Sequence, residues 1–117
     1  MQLRIEAWRA GFATLFADAP ECSFRLAGFA DGVPAGIIGG DAVDDAVVVR
    51  YHLVEEGFRG LGLGGMLLEE LVTLAESSGF RRVEASVPPG DRIAKLTYES
   101  SSFKAVKIVL CRELLPG

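Results

Sequence analysis

The chain has 117 residues, enough for one domain with a real core and too few for two, so a single domain over residues 1–117 is expected. Half of the residues are hydrophobic and 24% are charged, an ordinary balance for a globular protein. A net charge of −4 excludes the broad basic footprint that nucleic acid requires and leaves room for a cationic acceptor, although salt screens that attraction.

Apolar groups at Ile5, Trp8, Phe12, Leu15 and Phe16 recur at helical spacing. That pattern predicts an amphipathic helix over residues 2–17. The alternative is a short strand, Leu3 to Ala7, before a shorter helix. Asp18-Ala19-Pro20 ends the element. Residues 23–30 read as a strand, Asp31-Gly32 as a hairpin turn, and Val33 to Gly39 as the returning strand. Gly39-Gly40-Asp41 to Asp44-Asp45 reads as a second turn region.

Val47 to Val54 is the most β-branched run and predicts a central strand. Simple alternation places Val47, Val49, Tyr51 and Leu53 on one face, and Val48, Arg50, His52 and Val54 on the other. From Leu63 to Ser77, Leu63, Leu67, Leu71 and Leu74 form one helical stripe, with Glu69, Glu70 and Glu76 pointing away. Gly79 fits the residue just past a helix end. Arg82 to Val87 predicts a strand parallel to the central one, since strand, helix and strand follow in order. After the Pro88-Pro89-Gly90 turn, Asp91 can cap a helix from Arg92 to about Ser100. Phe103 to Glu113 predicts a last strand or a tight pair of strands. No internal repeat is visible.

Cys22 and Cys111 lack metal-ligand spacing, and His52 is the only histidine, so no metal site is expected. The cysteines are expected to be reduced and buried. No apolar run reaches membrane-span length and no signal-type segment is present, so a cytoplasmic chain with no membrane partner is expected.

Between the central strand and the long helix lies Arg59-Gly60-Leu61-Gly62-Leu63-Gly64-Gly65. The first turn of a helix has backbone N–H groups without internal partners, and the helix dipole adds partial positive charge there. Glycines let the loop approach a phosphate closely, and Arg59 adds a fixed forked cation. The junction therefore suits a pyrophosphate. A P-loop is excluded because Gly64 is followed by Gly65-Met66 rather than Lys-Ser/Thr. Gly60-x-Gly62-x-x-Gly65 fits dinucleotide spacing, with Glu84 at the distance of the acidic ribose partner. However, no second nucleotide-binding half follows. A glycine-rich turn without ligand is the remaining alternative.

Arg59-x-x-Gly62-x-Gly64, between that strand and a Leu-rich helix, resembles the acetyl-coenzyme A signature Gln/Arg-x-x-Gly-x-Gly/Ala of the GCN5-related N-acetyltransferases (GNAT). Ala94-x-x-x-Tyr98-x-x-x-Ser102-Phe103 is similar to that family's Ala-x-x-x-Tyr-x-x-x-Gly-Phe segment. Together the two cover roughly residues 46–114. Glu56 stands where Pro is common, Asp91 where Asn is common, and Ser102 where Gly is usual.

The resemblance implies a compact α+β fold (α/β in its β–α–β unit). The sheet would be mixed and mostly antiparallel, with a splayed cleft beside the parallel strand. It also implies acetyl-CoA as cofactor and an amine-bearing acceptor that attacks the thioester directly while both are bound. The phosphates would meet Gly60, Leu61, Gly62, Leu63, Gly64 and Gly65, with Arg59. The pantetheine arm would pair with backbone near Leu53 and Val54. Asp91 would contact the cofactor or simply cap its helix. Tyr98 would donate to the departing sulfur. For the base, His52, Glu55, Glu56, Asp45 and water stay open, with His52 the first candidate because its ordinary pKa suits proton removal. Arg50 needs an acidic partner, with Asp45 one candidate. The family's usual pair of N-terminal helices and its last hairpin loop both look shortened, so a catalytically idle CoA-binding domain is the alternative. A compact binding module without cofactor is the third reading. Oligomeric state stays open, a homodimer included.

Overall fold

A computed structural model of the protein describes residues 1–12, 16 and 19–115. Five strands form one sheet in chain order: β1 (Leu3–Ala7), β2 (Phe24–Ala30), β3 (Val33–Val43), β4 (Ala46–Val54) and β5 (Arg82–Glu84). The first four pair antiparallel, and β5 joins β4 in parallel. Helix α1 (Leu63–Ser77) makes the β4–α1–β5 crossover, and α2 (Arg92–Ser100) follows β5. This is the expected α+β architecture with a mixed, mostly antiparallel sheet.

The core lies between α1 and one face of the sheet. Leu63, Leu67, Leu68, Leu71 and Ala75 are buried against Leu26, Ala35, Ile38 and Val47. Glu69, Glu70 and Glu76 are exposed on the far side. Truncating a leucine such as Leu67 to Ala costs about 2–5 kcal/mol in a site this closed. Past the helix, Gly79 adopts φ +86 and Phe80 N–H reaches back to Ala75 O, which closes the last turn. The Asp31-Gly32 turn has both residues at positive φ, the geometry that matches strand twist in a two-residue hairpin.

At the N-terminus the helix over residues 2–17 is corrected, and the strand of the alternative, Leu3 to Ala7, is present. Leu3–Ala7 is a strand paired with Ala30–Leu26, followed by a 3-10 turn at Ala10–Phe12. The helical spacing came from residues that serve two faces of the sheet. Leu3 and Ile5 pack toward α1, whereas Trp8, Phe12 and Phe16 gather on the opposite face with Phe29. Leu15 and Asp18 of the expected helix and its end lie outside the described residues.

The Gly39-Gly40 reading is corrected too. β3 runs straight through both glycines to Val43, and only Asp44-Asp45 turns. The glycines are needed for close approach: a Cβ on Gly39 would collide with the Tyr51 ring, and one on Gly40 with Val47. Gly39 pairs with Tyr51 but Gly40 pairs with Val49, so Arg50 is an extra residue in β4. This bulge breaks the expected alternation. Val47, Val49 and Val54 join the core beside α1, and His52 faces α1 with them. Tyr51 lies on the other side, where its hydroxyl donates to Pro20 O at 2.9 Å.

β5 ends at Glu84 rather than Val87. Residues 103–115 form no strand, against expectation. The two cysteines are free, but Cys22 is only partly buried and Cys111 is exposed. Among the described residues, no helix is long and apolar enough to cross a membrane.

Candidate functional site

β4 and β5 pair over three positions only, Ala46 with Arg82, Val47 with Val83 and Val48 with Glu84. Beyond them β4 continues to Val54 with β3 on one side and, among the described residues, no strand on the other. β5 is paired along its whole length, so the open edge of β4 comes from β5 ending at Glu84 and not from two strands diverging. Glu55 N–H donates to Ala35 O at 2.8 Å, so by strand alternation the backbone groups of Leu53 also face β3. Those of His52 and Val54 face the open edge, and Val54 O accepts from Arg59 Nε at 3.1 Å. Leu53 is thus not placed to offer main-chain bonds to the cleft, whereas His52 and Val54 are. Simple alternation along the run had hidden this difference.

A 3-10 turn, Glu56–Phe58, carries the chain from that edge to the glycine loop. Gly60 and Gly62 adopt φ +81 and +86, and Gly62 caps α1 from a left-handed conformation that side chains resist. The first helical bond runs from Met66 N–H to Gly62 O at 3.1 Å. Among the described residues, the amides of Gly62, Leu63, Gly64 and Gly65 meet no protein acceptor. Space for a Cβ is open at Gly60, Gly62 and Gly65. Leu63 is buried and pins the turn to the core, while Leu61 is exposed. Free donors, an open surface and the positive end of a 15-residue helix with Arg59 alongside fit a pyrophosphate.

His52 is the hub of the site. Its Nε2 lies 2.8 Å from Gly64 O, and its Nδ1 lies 3.0 Å from the Tyr98 hydroxyl. A carbonyl can only accept, so Nε2 carries the proton, and neutral Nδ1 accepts from the Tyr98 O–H. Burial pushes the His52 pKa below 6.5, partly offset by the bond to Gly64. Tyr98, on α2, is 8% exposed, and burial raises its phenol to about 12. Its ring meets Phe103 edge-on at 5.2 Å. Histidine and tyrosine thus tie the first turn of α1 to α2 across the open end of β4. No sequence pattern marks Gly64 O as the acceptor that sets this tautomer.

The other candidates are dispersed. Asp91 caps α2, accepting from Ala94 N–H at 3.0 Å. Asp45 sits at the opposite end of β4 and pairs with Arg82 at 3.0 Å. Arg50 pairs with Asp41 at 3.2 Å instead of Asp45. Glu55 and Glu56 are exposed in the turn between β4 and the loop. Ser102, in place of the usual glycine, takes φ +66. A shallow hollow of about 310 Å³ near Glu6, Leu26, Glu70 and Thr73 lies toward the other end of α1 and contains none of the candidate residues. Among the described residues, no group of side chains could hold a metal ion.

Residues 2–103 match the family model described as the acetyltransferase (GNAT) family. The chain belongs to that family. Membership brings acetyl transfer as the activity and acetyl-coenzyme A as the cofactor. No curated protein matches the chain at a significant level. Among solved structures, the ribosomal-protein-S18-alanine N-acetyltransferase from Escherichia coli is 18% identical, with a TM-score of 0.76 over 91% of this chain and 80% of that one. A ribosomal-protein-alanine N-acetyltransferase from Brucella melitensis biovar Abortus 2308 is 16% identical, with a TM-score of 0.77 over 97% and 99%. The aminoglycoside acetyltransferase AAC(6′)-Iy, solved with a CoA bisubstrate analog, is 15% identical, with a TM-score of 0.76 over 97% and 99%. At these identities the likeness is one of fold.

Proposed function

We propose that the protein is an N-acetyltransferase that moves an acetyl group to a primary amine while donor and acceptor are bound together. The reading rests above all on the row of unbonded amides at Gly62–Gly65, set where β4 loses its second neighbour. Those amides and Arg59 would hold the diphosphate, and the backbone of His52 and Val54 would align the arm that follows it. When bound, acetyl-CoA supplies the acetyl group as a thioester and carries away the thiol.

Tyr98 is the proposed donor to the departing sulfur. With its pKa raised to about 12, the phenol keeps its proton across the working pH range. His52 holds that hydroxyl in place. We assign it positioning rather than removal of the amine proton, because Nε2 is a donor and Nδ1 is already occupied. Turning the Tyr98 hydroxyl away from Nδ1 gives up one neutral hydrogen bond, about 1 kcal/mol. The amine proton leaves through solvent at the exposed mouth, where Glu55 and Glu56 stand. Asp91 supports the site only by capping α2.

The acceptor is an amine, and the net charge of −4 favours a cationic one. Ribosomal-protein and aminoglycoside acetyltransferases share the fold, so protein and small-molecule amines are both in scope. Thiol release from acetyl-CoA, measured against a panel of peptide α-amines, lysine peptides and aminosugars, tests the proposal. Amine-dependent release supports it. Binding of CoA without release with any amine leaves only a coenzyme-binding role.

A further inference from the structure

The peptide group joining Val54 to Glu55 is tied on both sides. Glu55 N–H donates to Ala35 O of β3 at 2.8 Å. A planar trans peptide points its C=O the opposite way, so Val54 O projects into the open lane beside β4. Arg59 turns its side chain into that lane, and its Nε donates to Val54 O at 3.1 Å. A chain laid along this edge would run about 4.8 Å from β4 and set its own donors about 2.9 Å from such a carbonyl. The guanidinium therefore occupies the place of an added chain's donor. A carbonyl can accept twice, but the lane itself is filled.

The root of this side chain is fixed and its tip is weakly held. The 3-10 turn Glu56–Phe58 is closed by Phe58 N–H to Glu55 O at 2.9 Å and by Arg59 N–H to Glu56 O at 3.3 Å. Phe58 packs against the core and anchors the turn. Arg59 itself is exposed. Among the described residues, no carboxylate pairs with its guanidinium, although Glu55 and Glu56 precede it closely. A full positive charge is thus met by one neutral carbonyl. A forked, charge-assisted bond to a phosphate is about twice as strong as a neutral hydrogen bond. The unbonded amides of Gly62–Gly65 begin three residues further on.

We propose that Arg59 is a latch: in the empty protein it bars the β4 lane at Val54 O, and it leaves that carbonyl when a diphosphate reaches the glycine loop. This rests on the coenzyme reading above and adds a selection rule to it. A donor with a diphosphate frees the seat for its own amide-bearing arm. A bare acyl-pantetheine, which has the arm but no diphosphate, finds the seat taken. Arg59 thereby selects among thioesters by the end of the molecule remote from the sulfur. Linkage makes the effect reciprocal, so a diphosphate and a separate arm each improve the binding of the other. Without the latch the two bind independently.

Titrations followed by NMR test this with pantetheine, inorganic pyrophosphate and CoA as probes, on the native chain, Arg59→Ala and Arg59→Met. The side chain is exposed, so both variants should fold, and Met keeps the length of the stem while removing every donor. Pantetheine should bind the native chain about fivefold more tightly once pyrophosphate is present, the worth of one displaced hydrogen bond. In both variants it should bind about fivefold more tightly than in the native chain without pyrophosphate, and pyrophosphate should add nothing. CoA should bind both variants about tenfold more weakly, because a phosphate-facing cation is lost. A residue that merely supported the loop would weaken pantetheine and CoA alike. The Arg59 Nε–H resonance of the native chain should also move with pyrophosphate alone. A native chain that binds CoA, but takes up pantetheine no differently with pyrophosphate or in the variants, overturns the latch and leaves the coenzyme reading standing. Pantetheine that binds none of the three chains also overturns the latch. A native chain that does not bind CoA overturns both.

Discussion

The two ends of β4 do different jobs. At its start, residues 46–48 lie between β3 and β5, so their main chain has strands on both sides. At its end, residues 52–54 keep β3 alone. There the outward-facing backbone of His52 and Val54, whose O is held by Arg59, and the bare amides of α1 converge. Closing a sheet on both sides satisfies every donor and yields stability. Leaving one side open beside a helix N-terminus leaves donors for a ligand. The bulge at Arg50 separates the two regimes and turns His52 toward α1.

The largest expected effect comes from putting a carboxylate into the open end. A Cβ at Gly65 meets open space, and an acid such as Gly65→Glu in the first turn of a helix favours folding. Melting temperature should hold or rise, while CoA affinity falls at least 100-fold, on the order of 3 kcal/mol, from repulsion and occupied space. A thermal melt reads the first claim and isothermal titration the second, and unchanged affinity would remove the loop from the site.

Next is Tyr98→Phe, which should lower kcat by on the order of 10²-fold with CoA affinity kept, as expected for a lost proton donor. It also strips His52 Nδ1 of its donor, so a stability loss of about 1 kcal/mol should accompany it. Equal activity in the variant would leave Tyr98 a packing residue.

At the closed side of the comparison, Gly39→Ala drives a methyl into the Tyr51 ring, whose hydroxyl is tied to Pro20. Chemical denaturation should show a loss of about 1–3 kcal/mol, with CoA binding by the surviving fold unchanged.

pH sharpens the contrast further. Burial holds the His52 pKa below 6.5, so the unfolded chain takes up a proton that the folded one resists. Stability from this group is intact above about pH 6.5 and is lost as pH falls toward the folded pKa. The native melting temperature should therefore drop more between about pH 7.5 and about pH 5.5 than that of His52→Gln. Parallel curves would mean that the histidine is not held neutral. The smallest effect is at Ser102, whose φ of +66 suits glycine. Ser102→Gly should add about 1 kcal/mol to stability, read as a rise in melting temperature.

Where local chemistry decides alone, the sequence was readable. The Leu63–Leu71 stripe, the Asp31-Gly32 hairpin, the Asp91 cap and the glycine loop all depend on neighbours within a few residues, and all appear as expected. Errors fell where long-range partners decide. Leu3–Ala7 became a strand because Ala30–Leu26 lies beside it. The phase of β4 hinged on one extra residue set by the pairing of Gly39 and Gly40. Phe103–Glu113 has strand propensity but meets no edge within one chain. Arg59 beside the glycine loop and Tyr98 on α2 could be picked out as candidates from motif spacing. The tautomer of His52 could not, because it depends on Gly64 O and the Tyr98 hydroxyl arriving from two helices.

Backbone amide shifts of the labelled chain, followed by NMR during titration with CoA, test the central claim most directly. The account predicts that the amides of Gly62, Leu63, Gly64 and Gly65 move most and move downfield, with Val54 next. Saturation with CoA that leaves those four amides in place, while others shift, would contradict it.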